Sequence, residues 1–324
     1  MKFSSVALVA VCACATAHFS AEVFAQTYPQ RAIQFVVATA PSGGTDAIGR
    51  LIGQKLAEAW GQTVYIDNRP GASGSIGTAL VARAAPDGYS LLVANAGHVV
   101  MNPAIVRVPF DTLRDFAPVT LIASGPLILV AHPSVPVKSV RDVIALAKSK
   151  PGKLNYASGG SGTTSHFGME LFKSMTNIDI VHIPFKSAGP ATISILGGEV
   201  DLAFSTTPPA LPQVRAGKLR ALGMASLKRT NFAPEVPTVA ESGVPGFSAG
   251  VWYGIMAPVG TPQDIITRLH QEIVRIVRLP DVRERLAVEG VEPVGNTPVE
   301  FAAYMKLELA KYAAVAKRAA IHVD

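Results

Sequence analysis

Gln34–Asp46 reads QFVVATAPSGGTD, an apolar strand pattern that runs into a loop of Gly, Ser and Thr and then opens a helix. Apolar residues spaced three and four apart continue this helix to Trp60, and Gly61 follows as its C-terminal glycine. A helix that begins in such a loop exposes backbone N–H groups at the positive end of its dipole. The stretch therefore predicts an anion-binding corner between a strand and a helix.

The same design recurs more than a hundred residues later. Leu154–Ala157 is strand-like, Ser158–Ser165 is rich in Gly, Ser and Thr, and an apolar helix pattern follows. Neither loop carries a recognisable arrangement of nucleophile, base or metal ligands. We therefore predict that the two loops face each other across a ligand-binding cleft. The expected donors are backbone N–H groups and hydroxyls of Gly43, Gly44, Thr45, Ser158, Thr163 and Thr164.

Strand and helix signals alternate along the chain, which is typical of α/β proteins. Helix starts are predicted at Ser139, Thr261 and Thr297, each followed three residues later by an acid. The predicted strands are Ile33–Ala38, Val64–Asp67, Leu91–Asn95, Leu127–His132, Leu154–Ala157, Val181–Pro184, Asp201–Ser205 and Arg220–Met224.

The 324 residues amount to about twice a common domain length. A first crossing between two lobes is predicted at Leu121–Leu129, where Ser124-Gly125-Pro126 breaks an apolar run. A second crossing is predicted near Pro245–Tyr253, after the Pro-rich stretch Ala233–Pro237. These positions predict one discontinuous lobe, residues 26–124 and 249–324, and an inserted lobe, residues 125–248. Two crossings would act as a hinge, with the cleft between the lobes. Two consecutive domains joined by one linker are the alternative.

Residues 1–25 have the features of a secretory signal peptide: a positive end, a short apolar run and small residues before a predicted cleavage after Ala25. Ala17 and a poor lipoprotein box at Cys14 are alternative processing sites. Both cysteines of the chain lie in this segment, so the mature protein would have none, which suits a bacterial periplasm. No later stretch reaches about 18 continuous apolar residues, so a soluble mature protein is expected.

Charge and motifs argue against several functions. The net charge of +6 comes from scattered basic residues without an aromatic-interleaved stripe, so no nucleic-acid partner is expected. The segment Gly44–Leu51 resembles a nucleotide-binding P-loop, but it has Arg50-Leu51 where a P-loop needs Lys followed by Ser or Thr. The Gly-x-Ser-x-Gly motif that carries the nucleophile of serine hydrolases is not present. The histidines have no metal-ligand spacing. We expect no metal, no cofactor and no enzyme, although a hydrolase using Ser161 or Ser165 with His166 remains an alternative.

Several longer motifs resemble those of the Bug-type periplasmic receptors of tripartite tricarboxylate transporters. Similarity extends over essentially all of the predicted mature chain, and the motifs are specific only in combination. The matching motifs are Pro41-Ser42-Gly43-Gly44-Thr45-Asp46, Asn68-Arg69-Pro70-Gly71-Ala72-Ser73-Gly74, Ala85-Pro86-Asp87-Gly88-Tyr89, Asn155-Tyr156-Ala157-Ser158-Gly159, His182-Ile183-Pro184-Phe185-Lys186, Leu196-Gly197-Gly198-Glu199-Val200-Asp201, Val236-Pro237-Thr238-Val239-Ala240-Glu241, Trp252-Tyr253-Gly254 and Ala257-Pro258.

The resemblance implies an α/β, two-lobe class II periplasmic-binding-protein fold, each lobe a mixed sheet flanked by helices. It also implies a cleft that takes a small carboxylate. We expect a monomeric receptor that delivers this carboxylate to membrane permease subunits, and a sensor for a membrane kinase is the alternative. Whether the carboxylate is aromatic, dicarboxylic or amino-acid-like stays open. In that family, loops matching 41–46 and 158–166 grip the ligand. The chain departs from the family at Phe185 and Ser187, where Tyr and Gly are usual, so the ligand's identity does not carry over.

The predicted ligand-binding set combines the loop donors with residues of the neighbouring motifs. Ser73 belongs to a Gly-rich turn that is either a third wall of the pocket or a simple tight turn. Asp46 either braces the first loop or contacts a ligand hydroxyl or ammonium group. The full set is Ser42, Gly43, Gly44, Thr45, Asp46, Ser73, Ser158, Gly159, Thr163, Thr164, His166, Lys186 and Thr206.

Overall fold

The computed structural model describes residues 28–41, 43–185 and 188–321. The predicted signal peptide, Ser42 and Lys186 lie outside this part of the chain. Its strands are β1 (Ile33–Val37), β2 (Val64–Asn68), β3 (Ser90–Asn95), β4 (Phe116–Ala131), β5 (Asn155–Ser158), β6 (Val181–Pro184), β7 (Leu202–Thr206), β8 (Arg220–Met224), β9 (Gly250–Pro258) and β10 (Glu292–Pro293). Its α-helices are α1 (Gly44–Trp60), α2 (Ser75–Ala82), α3 (Asn102–Ile105), α4 (Val140–Ser149), α5 (Thr164–Thr176), α6 (Ala188–Leu196), α7 (Thr207–Arg215), α8 (Gln263–Val277), α9 (Pro280–Val288) and α10 (Pro298–Ala319).

The strands form two sheets that share the long strand β4. Sheet A has the order β2-β1-β3-β9-β4-β10, in which β1 runs parallel to β2 and β3, and β9 runs antiparallel to β3 and β4. Sheet B has the order β8-β4-β7-β5-β6, with β5 parallel to β6 and β7. The first part of β4, Phe116–Pro126, pairs with β9, and Leu127–Ala131 pairs with β7. One strand therefore connects both halves of the molecule.

The apolar pattern of β4 explains why it is buried on both faces. Leu127 and Leu129 pack into a core with α4, α5 and α10, whereas Ile128 and Val130 pack into a separate core under α6 and α7. This alternation follows the two-residue period of a strand. A third core lies between sheet A and the helices α1, α8 and α9.

The backbone stays in strand β4 through Ser124-Gly125-Pro126, within the predicted first crossing at Leu121–Leu129, so the strand predicted at Leu127–His132 begins earlier, at Phe116. A Cβ at Gly125 would overlap the carbonyl oxygen of Gly290, and a Cβ at Gly250 would overlap that of Gly125. Glycine at these positions lets the backbones of β4, β9 and the chain before β10 approach closely, a common use of glycine within strands. Gly125 resembles a turn signal in the sequence, but in the structure its lack of a side chain is what allows this close packing. The lobe boundaries proposed at this position stay a prediction.

Two of the three predicted helix caps are confirmed. Thr297 forms a capping box: its hydroxyl accepts a hydrogen bond from the Glu300 amide at 3.2 Å, and its own amide donates to the Glu300 carboxylate at 2.8 Å. Ser139 caps α4 through the Asp142 amide. Thr261 is not a cap, because its hydroxyl donates to the carbonyl of Pro258 at 2.8 Å and α8 begins after Pro262.

Candidate functional site

A cavity of about 250 Å³ lies where the two sheets meet; we call it the cleft cavity. Its sheet A wall is formed by Asn95 at the end of β3, His98 in the π-helical turn Gly97–Met101, and Asn102 at the start of α3. The start of α5, including Thr164, forms the opposite wall, and Trp252 on β9 lies between them. The carboxyl ends of parallel strands β1, β3 and β5 lead into this region, the usual location of ligand sites in α/β folds.

The first loop reaches the cleft cavity through Thr45. Gly43 is the extended N-cap of α1, so the amides of Gly44 and Thr45 have no intrahelical acceptor. The Thr45 side chain is buried, and its hydroxyl accepts a hydrogen bond from the Asn95 side-chain amide at 2.7 Å. Asn95 lines the cleft cavity. Thr45 therefore fixes the orientation of the Asn95 side chain, which lines the cavity, without lining the cavity itself.

Asp46 braces the start of α1. Its carboxylate accepts two hydrogen bonds from the Arg50 guanidinium, at 2.9 and 3.0 Å, and one from the Asn68 amide at 2.9 Å. Asp46 and Arg50 border a groove between α1 and α9. Of the two roles left open by the sequence, the bracing role has these contacts, and a ligand contact stays a prediction.

Gly44 approaches Tyr253 so closely that a Cβ there would overlap the tyrosine hydroxyl. Burial, reinforced by the negative charge of Glu289, raises the pKa of Tyr253 to about 12, so its hydroxyl remains a donor at neutral pH. These three residues border a second cavity of about 250 Å³ together with Thr206 from sheet B. Gly44 and Thr206 therefore face a common space from opposite halves.

Ser158 and Gly159 shape the second loop. The Ser158 hydroxyl accepts a hydrogen bond from the Gly160 amide at 3.1 Å and lies 2.6 Å from Nε2 of His182. The Gly159 amide donates to the Ser165 hydroxyl at 3.2 Å. Because these groups pair with one another, Ser158 and Gly159 contribute to the loop conformation.

His166 and Thr163 complete the internal pairing of the second loop. The Gly162 amide donates to Nδ1 of His166 at 3.0 Å, and the Thr163 hydroxyl donates to the Gly160 carbonyl at 2.7 Å. The Thr164 hydroxyl, in contrast, makes no hydrogen bond within the described part of the chain. Together with the first-turn amides of α5, it is a donor directed at the cavities around it.

Two histidine rings and a tyrosine ring form a stacked column beneath this loop. The centroids of His166 and His182 are 4.1 Å apart, and those of His182 and Tyr156 are 4.8 Å apart. Burial lowers the pKa of each histidine to about 4, so both imidazoles are neutral at neutral pH. Tyr156 ends the column with a 2.8 Å hydrogen bond to Glu170.

The alternative hydrolase arrangement, Ser161 or Ser165 with His166, has no serine–histidine hydrogen bond among the described residues. Ser165 pairs with Gly159, and His166 accepts from a backbone amide. The serine–histidine contact that does form joins Ser158 to His182, which no sequence motif indicated. An imidazole with a pKa of about 4 is a weak general base at neutral pH, so this pair favours a structural role.

Three cavity residues were missed by the sequence reasoning. His98 is buried, its pKa is lowered by burial to about 4, and its Nδ1 has no partner among the described residues. Trp252 is 1% exposed, and its Nε1 also has no partner within the described ranges. Asn95 is the last residue of β3 and His98 lies three residues later, so the position at the carboxyl end of a predicted strand was the signal that could have found them.

The remaining predicted residues have the following positions. Ser73 lies in a 3-10 turn and lines the cleft cavity, and the neighbouring Ser75 hydroxyl accepts a 2.8 Å bond from Asn102. A larger cavity in the sheet B half is lined by Ser158, Gly159, Thr163, Thr164 and Thr206.

No group of three or more His, Cys, Asp or Glu suited to a metal ion occurs in the described ranges. None of the helices described is both long and apolar enough to cross a membrane.

The family model for the tripartite tricarboxylate transporter family receptor matches residues 48–321. Protein BugT of Bordetella pertussis is 37% identical over 305 residues, which cover 94% of each chain. The structure of Rpa4515 of R. palustris with adipate is 35% identical, with a TM-score of 0.77, and covers 91% of this chain and 99% of that one. The structure of MatC from Rhodopseudomonas palustris with bound malate is 33% identical, with a TM-score of 0.74 and coverages of 89% and 99%. These matches confirm the predicted α/β periplasmic-binding-protein fold.

Proposed function

Because the chain belongs to the tripartite tricarboxylate transporter receptor family, we propose that it captures a small organic carboxylate between its two sheets and delivers it to membrane permease subunits. The protein acts in the periplasm, after a signal peptide is cleaved behind Ala25. Its role is binding and release, without chemical change of the solute.

The observation that carries this proposal is the convergence of unpaired donors on the cleft cavity. The first turn of α5 and the Thr164 hydroxyl face it from one half. From the other half, His98 and Asn95 line the cavity, and Trp252 lines it as well. The Nδ1 of His98 and the Nε1 of Trp252 are enclosed beside the cavity and have no partner among the described residues. Helix N-terminal amides and a hydroxyl that border a cavity are donors that an anionic ligand would satisfy.

Neutral donors are sufficient for such a ligand. The described linings of both cavities between the sheets contain no Lys or Arg. Three or four charge-assisted hydrogen bonds of about 1.5–3 kcal/mol each would supply about 5–12 kcal/mol, a range that includes the roughly 8 kcal/mol of micromolar affinity. Relatives whose structures hold adipate and malate support a carboxylate as the ligand.

Thermal unfolding with a panel of malate, adipate, benzoate and glutamate tests the proposal. A ligand at 100 times its Kd stabilises the native protein by about 2.7 kcal/mol. We expect at least one carboxylate to raise the Tm, whereas amines of the same size do not. A flat response to every carboxylate would contradict the proposal.

Substitutions locate the binding. Thr164→Leu introduces an apolar side chain where a donor faces the cleft cavity, so calorimetry should show at least a tenfold increase in Kd. Thr45→Val removes the acceptor of Asn95 and should weaken binding less, without unfolding the protein. Thr267→Leu, at an exposed position on α8, is the matched control and should leave Kd unchanged. Equal affinities in all three variants would contradict this location.

Delivery to a permease is tested in cells. Photo-crosslinkers at exposed positions around the opening of the cleft cavity should capture the membrane subunits of a tripartite transporter when the solute is present. Capture of a membrane kinase instead would identify the alternative, a sensor. Amino-terminal sequencing of the periplasmic protein checks the cleavage after Ala25.

A further inference from the structure

A cavity that shares lining residues with the cleft cavity lies inside the sheet B half, between α6 and strands β5 and β7; we call it the α6 cavity. Its volume is about 400 Å³, compared with about 250 Å³ for the cleft cavity. Thr163 and Thr164 line both cavities, and Thr206 lines the α6 cavity and the second cavity between the sheets. A carboxylate at the first turn of α5 would therefore lie at the boundary of the α6 cavity.

The lining of the α6 cavity combines hydroxyl-bearing residues with a larger apolar surface. Hydroxyl side chains come from the loop before α5, from the first turn of α5, from the end of β7 and from Thr192 on α6. The rest of the wall is formed by buried apolar side chains, chiefly Ala157, Ala191, Ile195, Ala203, Phe204 and Leu219. No charged residue of the described chain lines it. This combination matches an amphipathic ligand with a single charged end.

We propose that the solute is a monocarboxylate whose apolar body, an alkyl chain or an aromatic ring, occupies the α6 cavity. The inference rests on the proposed function and specifies the substrate class of the same site. An apolar cavity of about 150 Å³ is enough to hold benzene, so the α6 cavity accommodates a ring or a chain of several carbons. A dicarboxylate in the same orientation would bury its second charge against alanine, isoleucine and phenylalanine, at a high desolvation cost.

A homologous series measures whether the apolar body is bound. Calorimetric titration with butanoate, hexanoate and octanoate should show about a fourfold decrease in Kd per added methylene, which corresponds to about 0.8 kcal/mol of transfer free energy. Binding should also have an increasingly negative heat-capacity change along the series. Adipate has the same number of carbons as hexanoate and one more charge, so it should bind more weakly than hexanoate.

Filling the cavity should abolish the dependence on chain length. Ala191→Leu adds three carbons to the wall formed by α6, so the Kd for butanoate should change little while the gain for octanoate disappears. Ala203→Val fills the same cavity from β7 with a smaller increase in volume and is used if the first variant does not fold. Ala313→Leu, at an exposed site on α10, is the matched control and should retain the wild-type series.

The outcomes separate this inference from the proposed function. A Kd that is independent of chain length, or adipate binding more tightly than hexanoate, would overturn the assignment of the α6 cavity and leave the carboxylate receptor standing. Loss of the series in Ala313→Leu as well as in Ala191→Leu would also overturn it, because the effect would not belong to this cavity. Absence of binding to every carboxylate would overturn both.

Discussion

Adding a methyl group at Gly44 should destabilise the protein through one neighbour, the Tyr253 hydroxyl. Gly44 is the first residue of α1, and a Cβ there would overlap this hydroxyl and lie 3.3 Å from the ring carbon that carries it. The ring cannot retreat with its backbone, because Tyr253 is paired with Asn95 on one side and with Ala123 on the other. Gly44→Ala therefore creates overpacking between the first anion loop and β9.

Two opposing effects determine the size of the change. Overpacking in a well-packed region costs about 1–3 kcal/mol. Alanine favours a helix over glycine by roughly 0.5–1 kcal/mol. We therefore expect Gly44→Ala to lower the free energy of unfolding by about 1–2 kcal/mol. In a Tyr253→Phe background the hydroxyl is gone, so the same substitution should be neutral or stabilising.

Urea unfolding of the wild type, both single variants and the double variant gives the coupling energy, which should be about 1–3 kcal/mol. Gly43→Ala is the matched control, because a Cβ at Gly43 finds only the Ala40 carbonyl, at 3.9 Å. Its effect should add to that of Tyr253→Phe within about 0.5 kcal/mol. If the effects of Gly44→Ala and Tyr253→Phe were also additive, the assigned contact between position 44 and the Tyr253 hydroxyl would be refuted.

Three further substitutions have defined outcomes. Thr297→Ala removes the capping box with Glu300 and should lower the free energy of unfolding by about 1 kcal/mol in urea titrations, an effect absent in Thr297→Ser. Burial lowers the pKa of His98 from 6.5 to about 4, so wild-type stability should fall as the pH decreases from 6.5 to 4, by on the order of 3 kcal/mol from this residue; His98→Gln should show a weaker pH dependence, and an identical one would refute the assignment. Gly125→Ala should cost more than 3 kcal/mol because its Cβ overlaps the Gly290 carbonyl, and a wild-type Tm would contradict this packing.

Local patterns were sufficient for most of the fold. The apolar runs at β1, β3 and β5, the glycine after Trp60 and the Thr297 cap depend on residues close in sequence, and the structure agrees with them. The extent of β4 could not be predicted in this way. Gly125 reads as a turn residue locally, and its reason for being glycine is the Gly290 carbonyl, which lies 165 residues further along the chain.

The candidate site likewise has features that local sequence predicts and features that depend on the folded structure. Loops that follow strands and open helices are visible in the sequence, so the corners around Gly44 and Thr164 were predictable. The unpaired nitrogens of His98 and Trp252 were not, because an unsatisfied donor is defined by what surrounds it after folding. The pairing of Ser158 with His182 likewise requires β5 and β6 to be adjacent, which depends on sheet order.

These contacts indicate a division of labour within the binding region. Side chains of the two loops are largely engaged in holding the loops, as in the pairing of Asp46 with Arg50 and of His166 with the Gly162 amide. In the proposed carboxylate site, charge recognition would then rest on the first-turn amides of α5 and on the few side-chain donors that are not engaged in this way, such as the Thr164 hydroxyl. Under the same proposal, discrimination among carboxylates comes from the surrounding walls, where Ala191 and Ala203 leave space that a larger side chain would remove. A common anion grip can therefore serve different acids through changes in the α6 cavity alone.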